Sequence, residues 1–399
     1  MSDAAAPGPF PGGHLFPHEE LRAPTTRPLS VYVHIPFCAV RCGYCDFNTY
    51  TPSQLAGMNM DDYLAAVHAE IAAAARALGT GRAVSTVFFG GGTPTMATPA
   101  QLGEVLADLR DTFGLVPGAE VTTEANPETL DRARLETLLG SGFNRLSLGM
   151  QSADEQVLAR LDRHHTPGRA LQVARWAHEV GFPDVPLDLI YGTPGESLDS
   201  WRATLDAALG VAPEHLSAYS LIVEEGTALA RRIRHGELAM PDEDAEADEY
   251  LLAERMLSTA GLANYEISNW ALPGHEARHN LAYWRSDDWW GFGPGAHSHV
   301  HGVRWWNVRH PRRYAALLGE GARPREDFEV IDAPTRHEER VLLELRIADG
   351  LPVGELTGTE RARLAEPLSR GLVTVVGDRV HLTLQGRLLA DAVTRDLLD

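Results

Sequence analysis

The sequence predicts an α/β fold in which six strands alternate with helices. Six short apolar runs have the length of buried strands, and they span 30–35, 84–89, 119–123, 144–148, 186–190 and 215–221. Strict alternation of strand and helix implies right-handed βαβ units around a parallel sheet. We therefore expect either a partial barrel of six units or an open doubly wound sheet, and both bind ligands at one end of the sheet.

The segments between these runs carry helical patterns and helix-start signals. Leu64, Val67 and Ile71 recur at the spacing of one helical face. Thr98 and Asn126 are each followed by Pro, which places an N-cap and a first-turn proline before the next two helices. The helices of the predicted units are thus marked independently of the strands.

Charge and hydropathy exclude several classes of protein. The 399 residues contain 35 Lys and Arg against 55 Asp and Glu, which gives a formal net charge of −20. Such a field repels phosphate backbones, so we expect no nucleic-acid partner. No run approaches the roughly 18 apolar residues that cross a bilayer, and the beginning of the chain lacks a secretion signal. We expect a cytoplasmic protein.

Changes in composition divide the chain into four parts. These are a flexible Pro- and Gly-rich tail, the strand-and-helix region, an aromatic and His-rich cap and a C-terminal module, over 1–29, 30–225, 226–333 and 334–399. In the last part, two apolar runs at 372–376 and 380–384 flank Gly377 and Asp378. This pattern predicts a hairpin between helices, as in a winged-helix-like module.

The three cysteines of the chain occur close together, in the spacing Cys38-x3-Cys42-x2-Cys45. Three thiolates on one loop can hold three irons of a 4Fe-4S cluster and leave the fourth iron open to another ligand. The alternative is a structural zinc ion, which usually needs a fourth protein ligand, and His34 is a candidate for it.

Unusual residues follow the predicted strands at the ends where parallel sheets bind ligands. After the cysteine loop come the segments GGGTPT, EANPE, GMQS, YGTPGE and SLIVEEGT. Because the carboxyl ends of parallel strands meet at one edge, we expect these loops to form one pocket. Glycines 90–92 would allow a ligand to approach the backbone closely, or would simply form a turn.

Three segments resemble motifs of the radical S-adenosylmethionine (SAM) superfamily: YVHIPFCAVRCGYC at 32–45, GGGTP at 90–94 and HNLAYW at 279–284. Within it, the chain is similar to the family of oxygen-independent coproporphyrinogen III oxidases and the related haem chaperones. The resemblance implies a partial (β/α)6 radical-SAM barrel with a C-terminal α+β cap and a winged-helix-like module. It also implies a 4Fe-4S cluster on Cys38, Cys42 and Cys45, with SAM and haem as the other bound groups.

The resemblance further assigns individual contacts. It places SAM against Tyr32, Gly91, Gly92, Thr93, Glu124, Gln151, Arg163 and Asp188. It associates haem with His279, Asn280, Tyr283 and Trp284. The chemistry agrees, because a guanidinium suits the SAM carboxylate, carboxylates and amides suit ribose hydroxyls, and an imidazole beside aromatic rings suits haem. It assigns no catalytic residue.

Position 47 separates the two activities of the family. The oxidase pattern has a further Cys two residues after the third, whereas this chain reads Cys45-Asp46-Phe47. The chain also lacks the longer N-terminal region of the oxidase, so we expect a haem chaperone. One alternative is an anaerobic coproporphyrinogen III oxidase. The other is a scaffold held by a structural zinc ion, whose C-terminal module binds nucleic acid. The net charge disfavours this second alternative.

The chaperone hypothesis implies partners. These are haem and haem-accepting proteins such as membrane respiratory enzymes, which the protein would reach at the periphery of the membrane. The open iron of the cluster makes a homodimer an alternative to the monomer.

Two further groups of residues lie downstream of the HNLAYW segment. Four arginines accompany two tryptophans, and we expect them to be auxiliary contacts for haem propionates; the group is Arg304, Trp305, Trp306, Arg309, Arg312 and Arg313. His297, His299 and His301 alternate, which is typical of one face of a strand, and we assign no metal to them.

Overall fold

A computed structural model of the chain describes residues 20–23, 25–55, 57–79, 82–164 and 166–399. Of the predicted flexible tail, residues 1–19 and 24 lie outside this part of the chain. Residues Glu20–Arg22 form a 3-10 turn in which Leu21 is buried. Within the described part, no helix is both long and apolar enough to span a membrane.

All six predicted strands are present and pair in parallel in the order of the sequence. They are β1 (Leu29–Ile35), β2 (Val84–Gly91), β3 (Leu115–Ala125), β4 (Arg145–Gln151), β5 (Leu187–Tyr191) and β6 (His215–Ser220). Strands β1 and β6 do not pair with each other in the described part of the chain, because each has its second neighbour in residues 226–333. The six strands therefore form an unclosed barrel.

The helices that connect these strands form one outer layer. They are α1 (Met60–Leu78), α2 (Pro99–Phe113), α3 (Arg132–Ser141), α4 (Glu155–Arg160), α5 (Arg169–Val180) and α6 (Leu198–Leu209). Helices α1, α2, α3 and α5 pack against one another in that order, as expected for a partial barrel, whereas a doubly wound sheet carries helices on both faces.

The predicted caps are partly confirmed. Thr98 caps α2 in a capping box, but Asn126 caps only a 3-10 turn, and Asp131 caps α3 instead.

Residues 226–333 extend the same sheet at both edges. Their elements are α7 (Ala228–Arg234), α8 (Glu243–Thr259), β7 (Ala263–Glu266), β8 (Asn269–Ala271), α9 (Arg278–Trp284), β9 (Asp288–Phe292), β10 (His297–Val300), β11 (Val303–Asn307), α10 (Pro311–Gly319) and β12 (Arg325–Val330). Strands β8 and β7 continue the sheet beyond β6. On the other side β9 pairs in parallel with β1, and β10, β11 and β12 follow in antiparallel order.

The C-terminal module has a small sheet and a hydrophobic core of its own. Its elements are α11 (Ala333–Glu344), β13 (Leu351–Pro352), α12 (Gly358–Arg363), α13 (Ala365–Ser369), β14 (Val373–Val376), β15 (Arg379–Leu382), α14 (Leu384–Leu388) and α15 (Ala390–Leu398). The predicted hairpin is confirmed as β14 and β15. Arg387 on α14 donates to Glu254 on α8 at 2.9 Å, which ties the module to the rest of the molecule.

Candidate functional site

The carboxyl ends of the barrel strands surround a cavity of about 640 Å³, which we call the barrel cavity. All three cysteines line it. So do seven of the eight residues that the resemblance assigns to SAM, namely Gly91, Gly92, Thr93, Glu124, Gln151, Arg163 and Asp188. The eighth, Tyr32, lies outside it, where its hydroxyl is 2.9 Å from His34 Nδ1 and its ring stacks on Phe88.

The cysteine loop follows β1 and is held by backbone hydrogen bonds. Cys38 N donates to Tyr50 O at 3.0 Å, and Thr93 N donates to Phe37 O at 2.8 Å. The three thiols are free. Burial raises the pKa of the Cys38 thiol to about 11, so a bound metal centre would have to supply the positive charge that stabilises its thiolate.

Arg163 brings a guanidinium to this loop. Its Nη1 donates to Cys42 Sγ at 3.1 Å, and Tyr44 and Cys42 raise the pKa of Arg163 although its burial opposes this. A fixed cation beside a thiolate favours the charged sulfur. The arrangement fits a cluster held by thiolates.

His34 is engaged elsewhere. Its Nδ1 meets Tyr32, and its Nε2 lies 2.9 Å from Asn48 O. Burial lowers the pKa of His34 to about 4, so the ring is neutral at pH 7. Because both ring nitrogens have partners, His34 does not supply the fourth protein ligand that a structural zinc ion needs.

Two glycines let strand β2 approach the cysteine loop. A Cβ at Gly91, where φ is +113°, would lie 2.5 Å from the His34 ring. A Cβ at Gly92 would lie 2.6 Å from Phe37 O and 3.0 Å from Cys38 Sγ. Both positions therefore require glycine on steric grounds, beyond the needs of a turn.

Two carboxylates face the cavity from β3 and β5. Glu124 accepts from Gly91 N at 3.1 Å, and burial together with Asp188 raises its pKa to about 7. Asp188 accepts from the hydroxyls of Ser147 at 2.6 Å and Ser217 at 2.8 Å. Burial raises the pKa of Asp188, while these two hydroxyls lower it. Both groups are set to accept hydrogen bonds from a bound molecule.

Four buried polar atoms in the cavity wall lack a hydrogen-bond partner within the described part of the chain. They are Thr122 Oγ1, Arg145 Nη2, Arg163 Nε and His215 Nδ1. An unsatisfied buried polar atom is costly, and clusters of them mark places where a ligand or water completes the bonding. The walls thus fit a polar ligand such as SAM.

Several residues of the cavity wall were not predicted from the sequence. Ser147, Arg145 and Ser217 line the cavity together with the assigned residues. Ser147 and Arg145 alternate along β4, as Ser217 and His215 do along β6, so their inward direction follows from strand periodicity. Polar residues at such positions in apolar strands were the signal.

The HNLAYW segment forms helix α9. His279 is almost fully buried, and both ring nitrogens have partners at 2.8 Å, namely Thr86 Oγ1 and the Tyr283 hydroxyl. Burial lowers its pKa to about 3. Asn280 lines the barrel cavity and Trp284 is half-buried. Helix α9 therefore lies between the barrel cavity, which Asn280 lines, and a second cavity, which Tyr283 lines.

A second cavity of about 980 Å³, which we call the groove, lies between strands β9–β12 and helix α11. Tyr283 lines it, as do Trp289 on β9 and Leu343 on α11. The groove meets the barrel cavity at the cysteine loop, because both are lined by Asp46, Phe47, Gly91 and Glu124.

The downstream arginine and histidine groups are only partly brought together. Arg304, Trp306 and Arg309 line the groove, but Trp305 is buried in the core against Trp290. Arg312 and Arg313 belong to α10. Strand β10 ends at Val300, so His301 lies in the following turn with φ +54°, and only His297 and His299 share a strand face.

The chain is similar to known proteins over most of its length. Residues 32–208 match the model of the radical SAM superfamily. The chain is 52% identical over 372 residues to the "Heme chaperone HemW" of Mycobacterium tuberculosis, covering 93% of this chain and 95% of that one. It is 34% identical to the "Heme chaperone HemW" of Escherichia coli, covering 92% and 97%.

A solved structure resembles almost the whole molecule. The coproporphyrinogen III oxidase HemN of Escherichia coli, described as a radical SAM enzyme, superposes with a TM-score of 0.83 at 26% identity and covers 95% of this chain and 92% of that one. The partial-barrel fold is thereby confirmed. The chain belongs to the HemW haem-chaperone family within the radical SAM superfamily.

Proposed function

We propose that this protein is a haem chaperone, which binds haem and transfers it to haem-accepting proteins, and that it carries a 4Fe-4S cluster and SAM. The observation that carries the proposal is its 52% identity, over nearly the whole chain, to a protein named a haem chaperone. The proposed cluster ligands are Cys38, Cys42 and Cys45, which line one cavity.

The barrel cavity is the proposed SAM site. When bound together, the cluster and SAM supply one-electron chemistry at the sulfonium. Arg163 is suited to pair with the carboxylate of SAM, and Glu124 with its ammonium, since each offers the opposite charge. Asp188 is fixed by two serine hydroxyls, and its carboxylate is suited to accept from a ribose hydroxyl.

The proposed haem region is the wall formed by His279, Asn280, Tyr283 and Trp284. Tyr283 faces the groove and Asn280 faces the barrel cavity. His279 holds the Tyr283 hydroxyl through Nε2, so one of its hydrogen bonds would have to open before this ring could bind iron. In the described state His279 positions Tyr283.

The second candidate function is anaerobic oxidation of coproporphyrinogen III, which the structural similarity to the oxidase favours. Against it, position 47 holds Phe where the oxidase pattern has a further Cys. Phe47 is 60% exposed at the junction of the two cavities. An exposed aromatic ring at this rim offers no thiol to the chemistry.

The proposal includes partners and location. The acceptors would be haem proteins such as respiratory enzymes, and the chaperone would work in the cytoplasm and at the membrane periphery. The exposed apolar side chains Val40, Phe47 and Ile222 surround the mouth of the barrel cavity. Such a rim suits contact with another protein, whether an acceptor or a second copy.

The experiment compares binding with turnover in one sample. The protein is purified anaerobically, reconstituted with iron and sulfide, and titrated with ferric haem while absorption spectra are recorded. The same sample is then incubated with reductant, SAM and coproporphyrinogen III. We expect stoichiometric haem binding, haem transfer to an apo-haem protein, and no protoporphyrinogen IX. Formation of that product would establish the oxidase instead, and zinc without iron would contradict both.

A further inference from the structure

The floor of the barrel cavity, which we define by Thr122, Arg145 and His215, contains buried polar atoms that lack partners. These atoms are Thr122 Oγ1, Arg145 Nη2 and His215 Nδ1, and none of them has a hydrogen-bond partner among the described residues. Each of the three residues is at most 3% exposed, and all three line the cavity. A buried polar atom without a partner is costly, so three of them in one place indicate that a bound group completes their hydrogen bonding.

The floor lies deeper in the barrel than the proposed SAM contacts. Thr122 precedes Glu124 by two residues on β3, and Arg145 is the register partner of Thr122 on β4. Thr122 therefore lies roughly 7 Å further toward the amino end of its strand than Glu124, since a parallel strand rises about 3.3 Å per residue. Arg145 is held at that end, because its Nη1 donates to His275 O at 3.1 Å and lies 3.6 Å from Asp184.

The hydrogen bonds of Tyr265 determine which nitrogen of His215 carries the proton. The Tyr265 hydroxyl accepts from Ala277 N at 3.2 Å and lies 2.7 Å from His215 Nε2. Within the described part of the chain it has no other partner, so it donates to Nε2 and the ring proton is on Nδ1. Burial lowers the pKa of His215, and the nearby charge of Arg145 lowers it further. The neutral ring thus presents an N–H donor to the cavity.

The three free atoms form a set of donors beside one fixed cation. Arg145 Nη2 and His215 Nδ1 have only hydrogens to offer, and the Thr122 hydroxyl is able to donate as well. Such a set matches a group that only accepts hydrogen bonds, and the charge of Arg145 favours an anion. The carboxylate of SAM already has a proposed partner in Arg163, which contacts the cysteine loop at the other end of the cavity.

We propose that the floor binds the carboxylate of a second small molecule, which shares the barrel cavity with SAM. Thr122, Arg145 and His215 would donate to its two oxygens. This inference goes beyond the proposed function, from which it takes only the position of SAM.

Charge and space define this ligand as a small monocarboxylate. Asp184 already compensates part of the charge of Arg145. Asp188, whose pKa is raised by burial and lowered by Arg145, faces the same cavity. A dianion such as phosphate would therefore meet two carboxylates with one cation to balance them. The whole cavity measures about 640 Å³, which is the size of a site for one drug-sized ligand. Beside SAM it has space for a small acid but not for a tetrapyrrole.

The first test titrates acetate, the simplest stable probe of this class, into the full-length protein reconstituted with iron and sulfide. The buffer contains no other carboxylate and no phosphate, and saturation-transfer NMR gives the dissociation constant. Acetamide, which is the neutral isostere, and inorganic phosphate are the comparison probes. Calorimetry then measures the SAM affinity of the same protein with and without saturating acetate.

The variant for this test is Thr122→Val, which keeps the shape of the side chain and removes a hydroxyl that has no partner among the described residues. The matched control is Thr137→Val. Thr137 is exposed on α3, and its hydroxyl donates to Ala133 O of the same helix.

We expect acetate to bind with a millimolar dissociation constant, since a ligand of so few atoms binds weakly even in a good site. Acetamide and phosphate should bind at least tenfold more weakly. Thr122→Val should weaken acetate binding roughly 10- to 100-fold, because a hydrogen bond to a charged group is lost, and Thr137→Val should not change it. Thr122→Val should keep the SAM affinity and the thermal midpoint of the wild type, which a merely structural role would alter.

Three outcomes overturn the inference. If acetate does not bind, or binds equally to Thr122→Val, water alone completes the hydrogen bonds of the floor. If acetate lowers the SAM affinity in proportion to its concentration, the floor belongs to the SAM site and holds no second molecule. If phosphate binds as tightly as acetate, the ligand is not a monocarboxylate. None of these measurements involves haem, so their failure leaves the proposed chaperone function standing, and a failure to bind haem leaves this inference standing.

Discussion

The barrel cavity and the groove meet at the cysteine loop, yet they are built in different ways. The walls of the cavity come from the ends of consecutive parallel strands, and several of their polar atoms lack partners among the described residues. The walls of the groove come from antiparallel strands and a helix of the C-terminal module, and their charges are partly compensated by ion pairs. The cavity is thus a preformed polar site, whereas the groove depends on how two parts of the chain dock.

Replacing one cysteine should give the largest difference between the two sites, because the cluster should be lost while haem affinity is nearly unchanged. In Cys42→Ala, one iron loses its thiolate and Arg163 loses the sulfur it contacts, so we expect iron and sulfide content after reconstitution to fall to background. Haem affinity should stay within about threefold, because Cys42 lines the barrel cavity and not the groove. Metal analysis and a haem titration measure the two. A variant that retains a full cluster would contradict the assignment of Cys42.

The stability of the cavity should depend on pH through Glu124. The pKa of Glu124 is about 7 in the folded protein against 4.5 for an ordinary glutamate, so between these values the folded state holds a proton that the unfolded chain has lost. The free energy of unfolding should therefore fall as the pH rises through this window, by at most about 3 kcal/mol. Glu124→Gln removes this loss, and it should stabilise the cluster-free protein at pH 8 more than at pH 5.

Urea unfolding at the two pH values tests this expectation. Glu70 has a pKa of about 7 as well, because of its burial, and contributes to the pH dependence over the same range. The test therefore uses the difference in the free energy of unfolding between Glu124→Gln and the wild type. Glu136→Gln, at an exposed position of α3, is the control. Equal stabilisation at both pH values would mean that Glu124 does not titrate in this window.

Replacing Asp188 should weaken SAM binding and leave the groove unchanged. Both carboxylate oxygens accept from serine hydroxyls, and an amide at this position turns one acceptor into a donor. Hydrogen bonds to charged groups contribute about 1.5–3 kcal/mol, so Asp188→Asn should weaken SAM binding roughly 10- to 100-fold. Calorimetry of the reconstituted protein measures this, with Asp206→Asn on the exposed side of α6 as the control. A SAM affinity equal to that of the control would remove Asp188 from the site.

The barrel cavity was largely predictable from the sequence because its signals are local. Cys38 and Gly92 follow recognisable strands, and the carboxyl ends of parallel strands must meet at one edge. The groove was not predictable, because it depends on the parallel pairing of Leu29 with Asp288 and on the docking of α11. Nothing in the apolar pattern of either strand specifies that partner.

The downstream histidines and arginines show the same limit at the level of single residues. Alternation correctly puts His297 and His299 on one face, but it does not tell where the strand ends, and His301 falls in the turn. Periodicity also does not distinguish the two adjacent tryptophans. Trp305 is in the core and Trp306 lines the groove, because neighbouring residues of a strand point to opposite faces.

The weakest effect should come from the ion pair that crosses the groove. Glu339 on α11 accepts from Arg304 on β11, and both side chains are about one quarter exposed. For a pair screened by water to this degree, Glu339→Gln should lower the free energy of unfolding by less than about 1 kcal/mol. Hydrogen exchange in Ala333–Glu344 should still become faster, by up to about fivefold, because the helix has lost a contact that holds it to the sheet. Exchange in β2 and SAM affinity should not change.

The neighbouring Glu338→Gln, at an exposed position of the same helix, is the control. Equal exchange in both variants would mean that apolar packing alone docks the C-terminal module, and that the groove is as preformed as the cavity.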